Sequence, residues 1–207
     1  MTTPYDSDYY LRGIETGKSN YTDYRWMPDL TLAMASNLTR HLGIRSGATV
    51  LDFGAARGFL VKAMRMLGVG AHGYDISEWA VENCDPESRP YMLREISGKY
   101  DWVICKDTLE HLTTVQLSET VERLLSMCER GMFVVVPLAA ASGGDYVGPK
   151  DRMDITHVIR WTLEEWIGFL QSISLEFVVS GGYWIPGIKP EAYQHQQSCG
   201  FITLRRW

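Results

Sequence analysis

Cysteine is scarce and scattered in this 207-residue chain. Cys84, Cys105, Cys128 and Cys199 form no Cys-x-x-Cys pair, which argues against a zinc ribbon or a disulfide framework and fits a reduced, cytoplasmic setting. No apolar run approaches the ~18 residues of a membrane span. The first residues, Met-Thr-Thr-Pro-Tyr-Asp, lack the charged-then-apolar pattern of a signal peptide. No membrane partner is therefore expected. Runs of Lys and Arg are absent as well, and the net charge is −5, so a nucleic-acid backbone is a poor partner. There is no internal repeat and no low-complexity segment. What the chain does have is 45% hydrophobic and 12% aromatic residues. That is material for one core, and we read 1–207 as a single domain.

The most informative stretch runs from Thr49 to Leu60 (Thr-Val-Leu-Asp-Phe-Gly-Ala-Ala-Arg-Gly-Phe-Leu). Val50, Leu51 and Phe53 read as a strand covered on both faces. Gly54 and Gly58 bracket a tight turn that lets a ligand approach the backbone. Phe59 to Met66 reads as a helix whose first N–H groups face that turn. A dinucleotide fingerprint needs Gly-x-Gly-x-x-Gly, and the spacing here does not supply it, which counts against a nicotinamide oxidoreductase.

Elsewhere the periodicity predicts helices over 28–42, 115–130 and 163–172. Leu30, Met34, Leu38 and Leu42 form the inner stripe of the first, Gly131 caps the second, and Thr162 with Glu165 forms a capping box on the third. Strands are predicted at 71–75, 91–94, 100–105, 132–137, 175–180 and 201–205. Alternation of strand and helix through residue 137 predicts a parallel sheet covered on both faces. Asp75 ends the second strand, where an α/β nucleotide site holds ribose hydroxyls; it is also placed to cap a following helix. Residues 1–27 are rich in Tyr and read as a loop with one helical turn, either a lid over a ligand or packing on the sheet edge. Residues 138–162 form a loop on the substrate side. The stretch 181–187 is a second candidate wall.

Asp52, Gly54 and Gly58 resemble motif I of class I S-adenosylmethionine (SAM)-dependent methyltransferases, with Ala56 in place of its middle glycine. Asp75, the strand Asp101-Trp102-Val103-Ile104-Cys105 with Leu109-Glu110-His111, and the strand end at Pro137 add to the likeness. The resemblance implies a Rossmann-like α/β fold, a mostly parallel sheet with an antiparallel closing strand and helices on both faces. It implies SAM as cofactor, held by Asp52, Gly54, Ala55, Ala56, Gly58, Phe59, Asp75, Ile76, Cys105 and Lys106, with Glu95 a candidate for adenine. Asn20-Tyr21-Thr22-Asp23-Tyr24 is similar to the opening of small bacterial methyltransferases that act on sugars, secondary metabolites or other small polar acceptors.

An oxygen acceptor needs a base or a metal to handle its proton. If 107–111 forms a helical turn, Asp107, Glu110 and His111 fall at i, i+3 and i+4 on one face. Two carboxylates and an imidazole suit Mg²⁺, Mn²⁺, Fe²⁺ or Zn²⁺, with His157 a fourth ligand from the opposite wall. These four positions resemble the ligand sets of ubiquinone-biosynthesis O-methyltransferases and of small-RNA 2′-O-methyltransferases, with Asp107 replacing a Glu. In the other reading Glu110 and His111 only order the loop and His157 is a general base. We therefore expect O-methylation of a small-molecule acceptor, with His157, His111, Asp107 and Glu110 as the candidate catalytic or metal residues. A SAM-binding regulatory module and a metal-dependent RNA methyltransferase stand as alternatives. The oligomeric state is not legible.

Overall fold

The computed structural model describes residues 3–191 and 197–207. Two short helices open it, α1 (Ser7–Leu11) and α2 (Gly13–Thr16), where the sequence suggested one turn. Asp6 caps α1 by accepting the Tyr9 N–H at 3.0 Å. In α3 (Pro28–Leu42) proline sits in the first turn and Gly43 ends the helix at φ 69°. The inner face of α3 is Thr31, Ala35, Leu38 and Leu42, one step round from the expected stripe, and Leu30 is exposed.

Strand and helix then alternate: β1 (Thr49–Phe53), α4 (Phe59–Met66), β2 (Gly70–Tyr74), α5 (Glu78–Glu82), β3 (Met92–Leu93), β4 (Tyr100–Lys106), α6 (Thr114–Met127) and β5 (Cys128–Pro137). The chain closes with α7 (Leu163–Ile173), β6 (Phe177–Gly182) and β7 (Cys199–Arg206). The sheet order is β3-β2-β1-β4-β5-β7-β6. It is parallel from β3 to β5, and β7 runs antiparallel to both neighbours. Alternate residues of β5 feed two cores. Met132, Val134 and Val136 pack with α6 and α7, while Phe133 and Val135 pack with α3 and α4. Helices thus cover both faces, as expected of a parallel sheet. Chain order reverses between β1 and β4, and the carboxyl ends of those strands open a crevice there.

Two predicted features move. The helix over 115–130 stops at Met127, because Cys128 already pairs with Tyr100 of β4 and the ladder captures the residues that follow. Gly131 is therefore a strand glycine and not a helix cap. A Cβ there would sit 2.1 Å from the Leu204 carbonyl oxygen and 2.8 Å from the Trp102 ring. The 181–187 stretch does not act as one wall. Gly181 and Gly182 extend β6, and Trp184 and Ile185 pack against the α3–α4 core. Among the described residues, no helix is long and apolar enough to cross a membrane.

Gly131→Ala is expected to lower the urea midpoint, because the added methyl must displace a ladder carbonyl or a buried indole. The cost should be about 1–3 kcal/mol, and a midpoint equal to wild type would refute this account of the strand.

Candidate active site

The turn after β1 holds Gly54 at φ 85°, Ala56 at φ 48° and Gly58 at φ 74°. Ala56 thus keeps a glycine-like backbone at the position where it replaces one, a conformation unfavourable for an L-residue by about 1–2 kcal/mol. The Gly54 and Ala55 N–H groups both donate to the Tyr74 carbonyl, at 2.8 and 3.0 Å, and tie the turn to the end of β2. The two glycines make room for protein neighbours. An added Cβ would lie 2.2 Å from Thr108 Oγ1 at Gly54 and 2.5 Å from Ser88 Oγ at Gly58. Asp75 accepts the Ala56 N–H at 2.6 Å on one carboxylate oxygen and the Ser77 N–H at 2.8 Å on the other. The cap of α5 is Ser77, whose hydroxyl accepts from Ala80, so Asp75 is left facing the crevice. Burial raises the Asp75 carboxyl above its ordinary pKa, opposed by those two backbone hydrogen bonds. Asp52 is buried beneath the turn, and desolvation pushes its pKa up to about 7 against the pull of Lys106.

A cavity of about 370 Å³ fills the crevice. Of the residues singled out in the sequence, Gly54, Ala56, Asp75, Ile76, Lys106, Asp107 and His111 line it. Asp52, Ala55, Gly58, Phe59, Cys105, Glu110 and His157 lie outside the lining. Glu95 is exposed, and its neighbour Ile96 lines the wall instead. Sequence reasoning missed Phe53, Tyr74, Thr108 and Leu112. It also missed Gln116, Thr120 and Arg123, a polar stripe at helical spacing on α6 that was a readable signal.

The tyrosines of the N-terminal segment form the roof. Tyr5, Tyr9, Tyr10, Tyr21 and Tyr24 all line the cavity. Tyr10 stacks on Trp79 of α5 at 5.4 Å, and Tyr21 meets Tyr24 edge-on at 4.9 Å. Desolvation holds these phenols protonated, with Tyr5 pushed up to about 12.

At the other end, the loop after β4 separates the four candidate residues. Asp107 has φ 53°, so it stands outside the turn of 3₁₀ helix that runs from Leu109 to His111. Its carboxylate is taken by two lysines, Lys106 at 2.5 Å and Lys189 at 2.6 Å. Burial would raise Asp107, but these cations overcome it and hold the carboxyl well below the usual range. Glu110, His111 and His157 come together, each with a ligating atom within 4.8 Å of the others. Glu110 is fully buried and neither of its carboxylate oxygens has a hydrogen-bond partner among the described residues. Its main-chain carbonyl accepts from Val158 and Ile159, which brings His157 alongside. His157 Nδ1 donates to the Asp151 carbonyl at 3.0 Å, so Nε2, 3.8 Å from Glu110 Oε1, is the bare nitrogen. Desolvation raises Glu110 and lowers both imidazoles, His111 to about 4. The group therefore consists of a proton-hungry carboxyl and two neutral rings.

A family model described as "Methyltransferase domain" matches residues 25–178. Magnesium-protoporphyrin O-methyltransferase from Synechocystis sp. is 29% identical over 100 residues, which span 42% of this chain and only 44% of that protein. The crystal structure of the Synechocystis enzyme with bound SAM superposes with a TM-score of 0.63 at 18% identity, over 97% of this chain and 94% of that one. A SAM-dependent methyltransferase from Archaeoglobus fulgidus gives a TM-score of 0.63 at 16% identity, over 85% and 94%. The shared sheet and its helices are what these structures have in common with this one.

Asp52 sets a testable pH dependence. Its folded pKa of about 7 lies above the ordinary 3.8, so between those values the folded chain keeps a proton that the unfolded chain has lost. Stability should therefore fall as pH rises from about 4 to 7. Asp52→Asn is expected to flatten that slope by up to about 1.4 kcal/mol per pH unit; urea melts with an unaltered slope would show the carboxyl ionised throughout.

Proposed function

The chain belongs to the methyltransferase-domain family, and from that premise we propose that it transfers a methyl group from SAM to an oxygen of a small polar acceptor. One observation carries the reading: a single roofed cavity joins the Gly54–Asp75 crevice to His111. The crevice fits the cofactor chemically. Each Asp75 oxygen spends one acceptor site on backbone and keeps capacity for a ribose hydroxyl. Ile76, Ile96 and Leu112 offer apolar surface to a base. When bound, SAM supplies a methyl already activated on sulfonium.

The protein's task is then to position the acceptor, exclude water and take a proton. The tyrosine roof excludes water. A neutral imidazole with a bare nitrogen is the base, and His111, on the cavity wall, is better placed than His157 behind it. Lys106 and Lys189 hold Asp107 ionised and weakly basic, so it does not compete for the proton.

A second reading of the same cluster rests on Glu110. A buried carboxylate without hydrogen bonds beside two bare imidazole nitrogens is a donor set that suits a divalent cation. Glu110, His111 and His157 would hold it, and it would supply Lewis acidity toward an acceptor with neighbouring oxygens. Asp107 belongs to the lysines and not to this set. An RNA acceptor is disfavoured by the net charge of −5.

Calorimetric titration with S-adenosylhomocysteine tests the first claim. Wild type should bind, and Asp75→Ala should weaken binding by about 10- to 100-fold, the weight of one or two hydrogen bonds to a charged group; absence of binding in wild type would overturn it. Titration of Mn²⁺ into the saturated protein tests the second. Heat that disappears in His157→Ala supports a metal site, whereas no heat in either protein leaves the histidines as bases. A broad acceptor screen that yields no methylation despite cofactor binding would point to a regulatory module.

A further inference from the structure

The N-terminal roof is joined to the acceptor end by a continuous chain of hydrogen bonds. Tyr9, on α1, is buried and its hydroxyl donates to Asp154 Oδ2 at 2.6 Å. Asp154, also buried, accepts on its other oxygen from the Thr156 hydroxyl at 2.5 Å and the Thr156 N–H at 2.9 Å. Thr156 Oγ1 lies 2.7 Å from His111 Nδ1. A hydroxyl has one proton, and that of Thr156 is spent on Asp154. Thr156 can therefore only accept from His111, which places the imidazole proton on Nδ1 and leaves Nε2 basic.

We propose that Tyr9, Asp154 and Thr156 are positioning residues through which the seated N-terminal segment sets the tautomer of His111. The proposal rests on the methyltransferase reading for the part His111 plays at the acceptor. The contacts around the chain point the same way. Tyr5 packs edge-on against the His111 ring at 5.6 Å. Ser19 anchors the Tyr9 carbonyl at 2.6 Å, and the Ile155 N–H reaches the Lys18 carbonyl at 3.3 Å. The segment that covers the cavity is thus the same segment that orients the base. When it lifts, Asp154 loses the contact that fixes its carboxylate in place, Thr156 loses the fixed acceptor for its proton, and His111 loses the oriented partner that selects its tautomer. Closing the roof and arming the base become one event.

The imidazole ¹⁵N resonances of the full chain, without any ligand, read the tautomer directly. Wild type should show His111 as the Nδ1–H form. Thr156→Val should shift the ratio toward Nε2–H by roughly fivefold, the weight of one net hydrogen bond, and Thr156→Ser should restore it. Tyr9→Phe, which removes one oxygen and no packing volume, should shift the ratio in the same direction. An Nε2–H wild type, or Thr156→Val and Tyr9→Phe spectra identical to wild type, would overturn the proposal. A shift in Thr156→Val with none in Tyr9→Phe would overturn the part given to the N-terminal segment. If Thr156→Val fails to fold, Tyr9→Phe alone decides. Titration of the same samples with S-adenosylhomocysteine separates the two claims: the expected tautomers in a protein that binds none would sink the methyltransferase reading and leave the relay standing.

Discussion

A fully buried carboxyl group with no hydrogen bond among the described residues governs the electrostatics at the His111 end of the cavity. Burying Glu110 as an anion would cost several kcal/mol, and nothing among the described residues donates to it. Its neighbours are a pair of imidazoles that have each committed one nitrogen elsewhere. The group is tolerable with a proton on Glu110 or with a cation between the three. The Glu110 main chain does a second job by accepting from Val158 and Ile159. The residue that creates the electrostatic demand thus also pins the loop that answers it.

Charge is kept apart with similar care along the rest of the cavity. Asp107 stands three residues from Glu110, yet its left-handed backbone turns it toward Lys106 and Lys189. Within a single loop, two lysines thus hold one carboxyl ionised while burial favours the neutral form of the other. Asp75 and Asp52 occupy the opposite end. There, backbone N–H groups satisfy Asp75, and burial keeps Asp52 near neutrality. The tyrosine roof spans both ends.

The local signals in the sequence survive well. The strand–turn–helix unit at 49–66, the α3 ends and the Thr162 capping box all stand in the structure. These depend on residues a few positions apart, whose preferences act before the chain has a core. The failures share a cause as well. Gly131 looked like a helix cap, but pairing with β4 and β7 outweighed the local preference. Glu95 looked like a partner for adenine, but it points to solvent and the adjacent Ile96 meets the cavity. Which of two neighbours in a loop faces inward is set by tertiary packing, which is not written locally.

By itself the sequence determined the layered α/β architecture, the glycine turn and the acid at the end of the second strand, because hydrophobic period and turn chemistry are short-range. Only the tertiary structure decided how the four candidate residues after β4 divide, with Asp107 going to Lys189 eighty-two residues away and Glu110 meeting His157. It alone joined Tyr9 to His111 through Asp154 and Thr156. Hydrogen bonds and ion pairs act over a few ångströms, and the distances between these residues exist only once the sheet has brought its loops together.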